Sequence, residues 1–220
     1  MARPGCGGSL NSDVGRLIYF VKGVKSVAVT YTNRKGRTYY LHQGVTKTGK
    51  PRYYFSRDKG SNLIDEIPEG YEISESVNGI VSLAKKRPRK ILPAEVEIIE
   101  AVLKRHKKSS NYRVNVRSEE IEIYERVGPN LTELFAGLST ELFGSGIEKR
   151  LEEEERIYSQ FTPILRFILY DEQERYFGVK RMCYLGSVDD WIDIGKGGSL
   201  GEVAEEIIPL LGTERYFDLY

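Results

Sequence analysis

A chain of 220 residues, 40% hydrophobic and 30% charged, has the composition of a folded protein of one or two domains and not of a disordered one. Its longest apolar run, residues 17–21, is too short for a membrane-spanning helix or a signal-peptide core, and Cys6 and Cys183 form no disulfide framework, so a soluble cytoplasmic protein is expected. The net charge of +1 hides a division: residues 1–110 carry 21 Lys+Arg against 10 Asp+Glu, and residues 111–220 carry 12 against 22. Most of the positive excess falls in residues 1–60, with 12 Lys+Arg against Asp13 and Asp58.

In chain order, residues 1–13 read as a loose glycine-rich tail, and residues 14–21 as a short strand or one helical turn. From residue 27 to 56 an antiparallel meander is expected. Val27, Val29 and Tyr31 alternate with small residues, residues 37–42 and 52–56 are tyrosine-rich, and glycine-bearing turns fall at 33–36 and 47–50. Residues 71–76 and 80–84 flank Asn78-Gly79, a strong hairpin signal. The basic run 85–90, broken by Pro88, marks a boundary between a basic β-rich module (14–88) and an acidic α+β module (89–220). The two modules are free to pack as one unit.

Pro93 suits the first position of an amphipathic helix over 93–107, marked by Val96, Ile99, Leu103 and His106. A hairpin follows, with Tyr112, Val114 and Val116 answered by Ile121 and Ile123. Asn130 and Glu133 have capping-box spacing for a helix ending near Gly144. Ile147, Leu151, Tyr158 and Phe161 mark one face of the next helix, with residues 152–155 mostly in solvent. Three strands are expected at 164–170, 176–185 and 188–194, and Ser199 with Glu202 caps a last helix through Val203, Ile207 and Leu211. The fold class expected is α+β: an antiparallel N-terminal meander plus hairpin, then helix and antiparallel-hairpin units with helices on one face.

The segment YYLHQGVTKTGKPRYYFS, residues 39–56, resembles one found in a group of uncharacterised bacterial proteins. Residues 94–124 and 161–194, including RMCYLGSVDDWI, are similar to parts of the same group. The resemblance covers about half of the chain and implies a shared fold, with no activity and no site residues attached.

The richest chemistry lies in the meander. Tyr39, Tyr54 and their neighbouring aromatics interleave with Arg34, Lys35, Arg37, Lys47, Lys50, Arg52 and Arg57. Cations neutralise phosphates and aromatic faces stack unpaired bases, so these nine residues are the candidate surface for nucleic acid or an acidic protein partner. The plainer reading is that tyrosine favours strands and that turn tips carry solvated cations. A third is that the basic surface docks on the acidic half, or on that of a second copy in a homo-oligomer.

Asp189, Trp191 and Asp193 share one face of a strand, so Asp189 and Asp193 form the alternative site, able to hold a divalent cation in an enzyme. Against it, no further acid or lysine falls at a defined spacing. Residues 195–199 precede a helix and could cradle an anion, but the glycine spacing matches no phosphate loop, and a tight turn into a capped helix accounts for them. His42, His106 and Cys183 have no sequence neighbours suited to catalysis, and Arg113, Asn115 and Arg117 face Glu122 and Tyr124 as cross-strand partners. The expectation is a non-enzymatic binding or adaptor protein, without cofactor and without a membrane partner.

Overall fold

The computed structural model describes residues 28–131, 135, 147–184 and 189–219. The expectations for residues 1–27, and most of the helix opened by Asn130, lie outside the described residues.

The meander forms as its alternation requires. Strands β1 (Thr30–Thr32), β2 (Thr38–Val45) and β3 (Pro51–Ser56) make a three-stranded antiparallel sheet in the order β1-β2-β3. In the first turn the Asn33 side-chain oxygen accepts from the backbone N–H groups of Lys35 and Arg37. The Asn78-Gly79 signal joins β4 (Tyr71–Glu75) to β5 (Val81–Lys85), with Gly79 at φ 78°, a backbone state that side chains disfavour. A Cβ there would also press on the Asn33 amide and the Lys35 stem, which lie over it. The hairpin covers one face of the meander, where Leu41 is fully buried and Tyr53 packs edge-on against Tyr71.

Helix α1 (Pro93–Lys104) begins as expected at Pro93, and the Leu92 N–H donates to Glu95 Oε2. It stops at Lys104, three residues short of the expected end. Glu95 also receives a bidentate pair from Arg175, which ties the helix start to the turn after β8. Strands β6 (Tyr112–Val116) and β7 (Glu120–Val127) follow, then α2 (Ile147–Tyr158), β8 (Gln160–Asp171), β9 (Tyr176–Tyr184), β10 (Asp189–Ser199), α3 (Leu200–Ile207) and a short α4 (Glu214–Phe217).

Two boundaries differ from expectation. Phe161 does not continue the helical face of Leu151, because the chain enters β8 at Gln160, and Tyr158 is left exposed. Residues 195–199 are not a tight turn: β10 runs on through them after an irregularity between Asp193 and Gly197, where glycines keep the strand paired to β9. Ser199 does occupy the N-cap position, but its hydroxyl donates to the Glu202 carboxylate instead of accepting from the helix backbone.

The five later strands form one antiparallel sheet ordered β10-β9-β8-β7-β6. Ile121, Ile123, Leu165, Phe167, Phe177, Val179 and Ile194 point to one face, where α1 and α3 cover them with Ile99, Val102, Leu103, Val203, Ala204 and Ile207. Burial of these apolar side chains is the main force holding the sheet and helices together. The buried residues of the smaller module, Leu41, Val77 and Val81, fall outside that cluster. This is an α+β protein of antiparallel sheets, as expected.

The opposite face of the large sheet is polar and ordered by register. Asn115, Glu122, Arg166, Lys180 and Asp193 stand side by side across the five strands. Glu122 is 1% exposed and accepts from Arg166 Nη2 (2.6 Å), Asn115 (3.0 Å) and the Tyr124 hydroxyl (3.1 Å), with Arg117 Nε also at 3.1 Å. The Arg166 guanidinium lies 4.0 Å over the Trp191 ring.

Candidate nucleic-acid interface

Strand register sorts the tyrosines of the meander. Tyr40 pairs with Ser56, His42 with Tyr54 and Gly44 with Arg52, so these side chains share the outer face. Tyr39, Leu41, Tyr53 and Phe55 point the other way, toward the hairpin. Tyr39, one of the nine candidate residues, is therefore half-buried on the inner face, opposite to that of Tyr54.

On the outer face the Tyr54 ring, in a residue 40% exposed, stacks on His42 with centroids 5.3 Å apart and planes 11° from parallel. Gly44 makes room for it, since a Cβ there would touch the ring edge. His42 is a buried support. Its Nε2 lies 3.0 Å from the Asp58 carbonyl and its Nδ1 3.4 Å from that of Ser61, so the ring is held by the 58–61 loop. Arg52 reaches over Tyr54 at 6.0 Å, and Lys59 over Tyr40 at 5.4 Å. Beside Tyr40 a hollow of about 420 Å³ is lined by Ala28, Thr30, Lys59, Leu63, Ile64 and Asp65.

The surrounding cations divide into two sets. Arg37, Lys47, Lys50, Arg52, Arg57 and Lys59 are all exposed, and none has an ion-pair partner among the described residues. Arg34 and Lys35 are engaged. Arg34 Nε meets Glu75 at 3.0 Å, and Lys35 is buried with its Nζ donating to the Ser159 carbonyl at 2.8 Å. Burial, then the nearby Arg37, lowers the Lys35 pKa from the usual lysine value.

Among the described residues, the acidic half thus makes its hydrogen bonds to the basic module at the turn tips. Besides the Lys35 contact, Asn78 donates to the Phe161 carbonyl and accepts from the Phe161 N–H, at 2.9 and 2.8 Å, and Arg156 Nη1 donates to the Arg34 carbonyl. Tyr40, one of the interleaved aromatics but not among the nine candidate residues, shares the face of Tyr54, and Lys59 beside it was not singled out from the sequence. The signal that finds Tyr40 is parity: counting back across the 46–50 turn puts it, and not Tyr39, on the face of Tyr54.

The alternative acidic site is placed on the outer face of the large sheet. Trp191 is half-buried under Arg166, while Asp189 and Asp193 are exposed, and Asp193 Oδ1 accepts from the Gly195 N–H at 2.9 Å. Among the described residues no three His, Cys, Asp or Glu side chains converge as metal ligands. His106 Nε2 lies 3.1 Å from the Leu211 carbonyl with its ring edge-on to Tyr112, and Cys183 is a half-buried free thiol. No described helix is long and apolar enough to cross a membrane. No family model, curated protein or solved structure matches the chain.

Proposed function

We propose that the protein is a binding protein for single-stranded nucleic acid, held on the outer face of the N-terminal sheet by Tyr54 and Tyr40 and by the cations around them. The observation that carries this reading is the set of six exposed cations, without ion-pair partners among the described residues, on the sheet and loops that carry a stacked, half-open tyrosine. The hydrogen bonds between the two halves among the described residues involve none of these six cations. A base laid on Tyr54 gains a stacking partner already fixed by His42, so little side-chain ordering remains to oppose binding. The cations around it suit the phosphates on either side of that base. Recognition of this kind is sequence-tolerant and salt-dependent, with Tyr40 and its hollow as a second place for a base.

The test is fluorescence anisotropy of the full chain with a labelled oligothymidine across a salt series. Binding is expected with a log–log salt slope near −0.7 for each phosphate neutralised, amounting to several units. Tyr54→Ala should weaken it by about 1–3 kcal/mol, the worth of one stacked base. Joint replacement of Lys47, Lys50 and Arg52 by glutamine should flatten the salt slope. Absence of binding at low salt would remove the proposal and leave an acidic protein surface as the partner to examine.

A further inference from the structure

A second concentration of cations lies on the large module, at the end of its polar sheet face. Arg113 on β6 and Arg126 on β7 both place their guanidinium carbons over the ring of Phe161 on β8, at 5.0 and 5.5 Å from its centroid. Arg126 is the anomaly. Its side chain is 7% exposed, its Nε is buried without a hydrogen-bond partner, and its nearest carboxylate, Glu155, stands 3.6 Å away. Buried guanidinium groups are ordinarily paired and hydrogen-bonded, because taking the charge out of water is costly.

Arg113 beside it spends Nη1 on the carbonyls of Ser110 (2.9 Å) and Tyr112 (2.7 Å), leaving its Nε and Nη2 protons unspent. The other arginines of this corner have close carboxylates, Glu75 for Arg34 and Glu153 for Arg156, whereas Arg113 has no ion-pair partner among the described residues. The local excess is therefore positive. Partial burial, followed by the charges of Arg126 and Arg34, depresses the Arg113 pKa, and Glu155 offsets this only in part.

We propose that Arg113 and Arg126 hold a phosphate group at the Phe161 end of the five-stranded sheet. The unpartnered Nε proton of Arg126 and the three unspent protons of Arg113 suit a tetrahedral oxyanion with several acceptor oxygens. The anion adds to the counter-charge that Glu155 gives Arg126 at 3.6 Å. This site stands on the acidic module and is independent of the Tyr54 face. A free phosphate and a phosphodiester chain share this chemistry, and the experiment distinguishes the two sources.

The experiment is thermal unfolding of the full chain at neutral pH in sodium phosphate against sodium chloride of matched ionic strength. A parallel arm adds a short oligothymidine to the Tyr54→Ala variant, in which the N-terminal face is weakened. Phosphate is expected to raise the wild-type Tm by at least about 2 °C, since a ligand of the folded state stabilises it by mass action. Arg113→Gln, which changes a solvent-facing side chain, should abolish the rise, and Arg126→Gln should do the same if that variant folds. Stabilisation by the oligonucleotide alone, lost in Arg113→Gln, identifies a phosphodiester as the source. No stabilisation by either ligand, or a rise that Arg113→Gln retains, overturns the proposal.

Discussion

Two tyrosine hydroxyls lie inside the larger core. Tyr216, on α4, donates to the Ile164 carbonyl at 2.6 Å, and Tyr112 donates to Glu125 at 3.1 Å. Burial is the first cause that raises both pKa values well above the usual 10, with nearby Glu125 adding to it. Above pH 10 the unfolded chain ionises these hydroxyls while the folded chain keeps its protons. Stability contributed by the two groups is therefore intact below pH 10 and is lost as the pH climbs toward their folded values, by up to about 1.4 kcal/mol per pH unit for each. Tyr216→Phe leaves the Ile164 carbonyl without its donor, so urea unfolding at pH 7 should show a loss of about 1–3 kcal/mol. The same series at pH 10 to 11.5 should show a shallower alkaline decline than wild type. An unchanged decline would assign the alkaline sensitivity to other groups.

At the scale of elements, the row across the large sheet is held by one carboxylate. Glu122 on β7 receives Arg166 from β8 and Arg117 and Asn115 from the β6 side, so a single side chain links three strands. Glu122→Gln keeps its size but removes the more buried of the two carboxylates, Glu122 and Glu120, that face Arg117 and Arg166, and breaking a buried pair costs up to about 3–5 kcal/mol. Glu119→Gln is the contrast. Its partner Lys90 is exposed, and a surface pair of that kind contributes at most about 1 kcal/mol. Trp191, the single tryptophan of the chain, lies under Arg166, so its fluorescence reports unfolding at the row itself. Equal urea midpoints for the two variants would show that the row contributes little. Half of this network was legible in the sequence. Arg113, Asn115 and Arg117 could be placed opposite Glu122 and Tyr124 because a short turn sets the register of a hairpin. Arg166 and Trp191 could not, because their alignment depends on an irregularity between Ile123 and Tyr124 and on pairing across three further strands. The buried Arg126 was equally hidden, since burial of a cation is a property of packing and leaves no mark on spacing.

At the scale of the molecule, the division of charge along the chain becomes two modules that meet through polar contacts at their tips. Strand existence and the hairpins were readable from alternation and turn residues, and Asn78-Gly79 stood out as a turn. Its second role was not readable, because the turn is also the clasp: the Asn78 amide pairs with both backbone groups of Phe161, while Asn33 donates to the Gly79 carbonyl and locks the two tips of the small module together. A side-chain amide that mimics a strand partner gives docking a fixed geometry with little apolar burial. Such a junction should depend on few groups. Asn78→Ala preserves Gly79 and so the turn, but it leaves the Phe161 N–H and carbonyl unpaired, at a cost of about 1–3 kcal/mol. Trypsin should then cut faster within the basic connection, at Lys86 and Arg89, which are exposed, and heat unfolding should broaden or separate into two transitions as the modules uncouple. Oligonucleotide affinity at the Tyr54 face should stay within about twofold of wild type, because that face lies away from the clasp and its support comes from His42 and the 58–61 loop. Wild-type cleavage rates in Asn78→Ala would place the coupling in the Lys35 and Arg156 contacts instead. A parallel fall in affinity would mean that docking orders the binding face, and that the two modules act as one unit in binding as well as in folding.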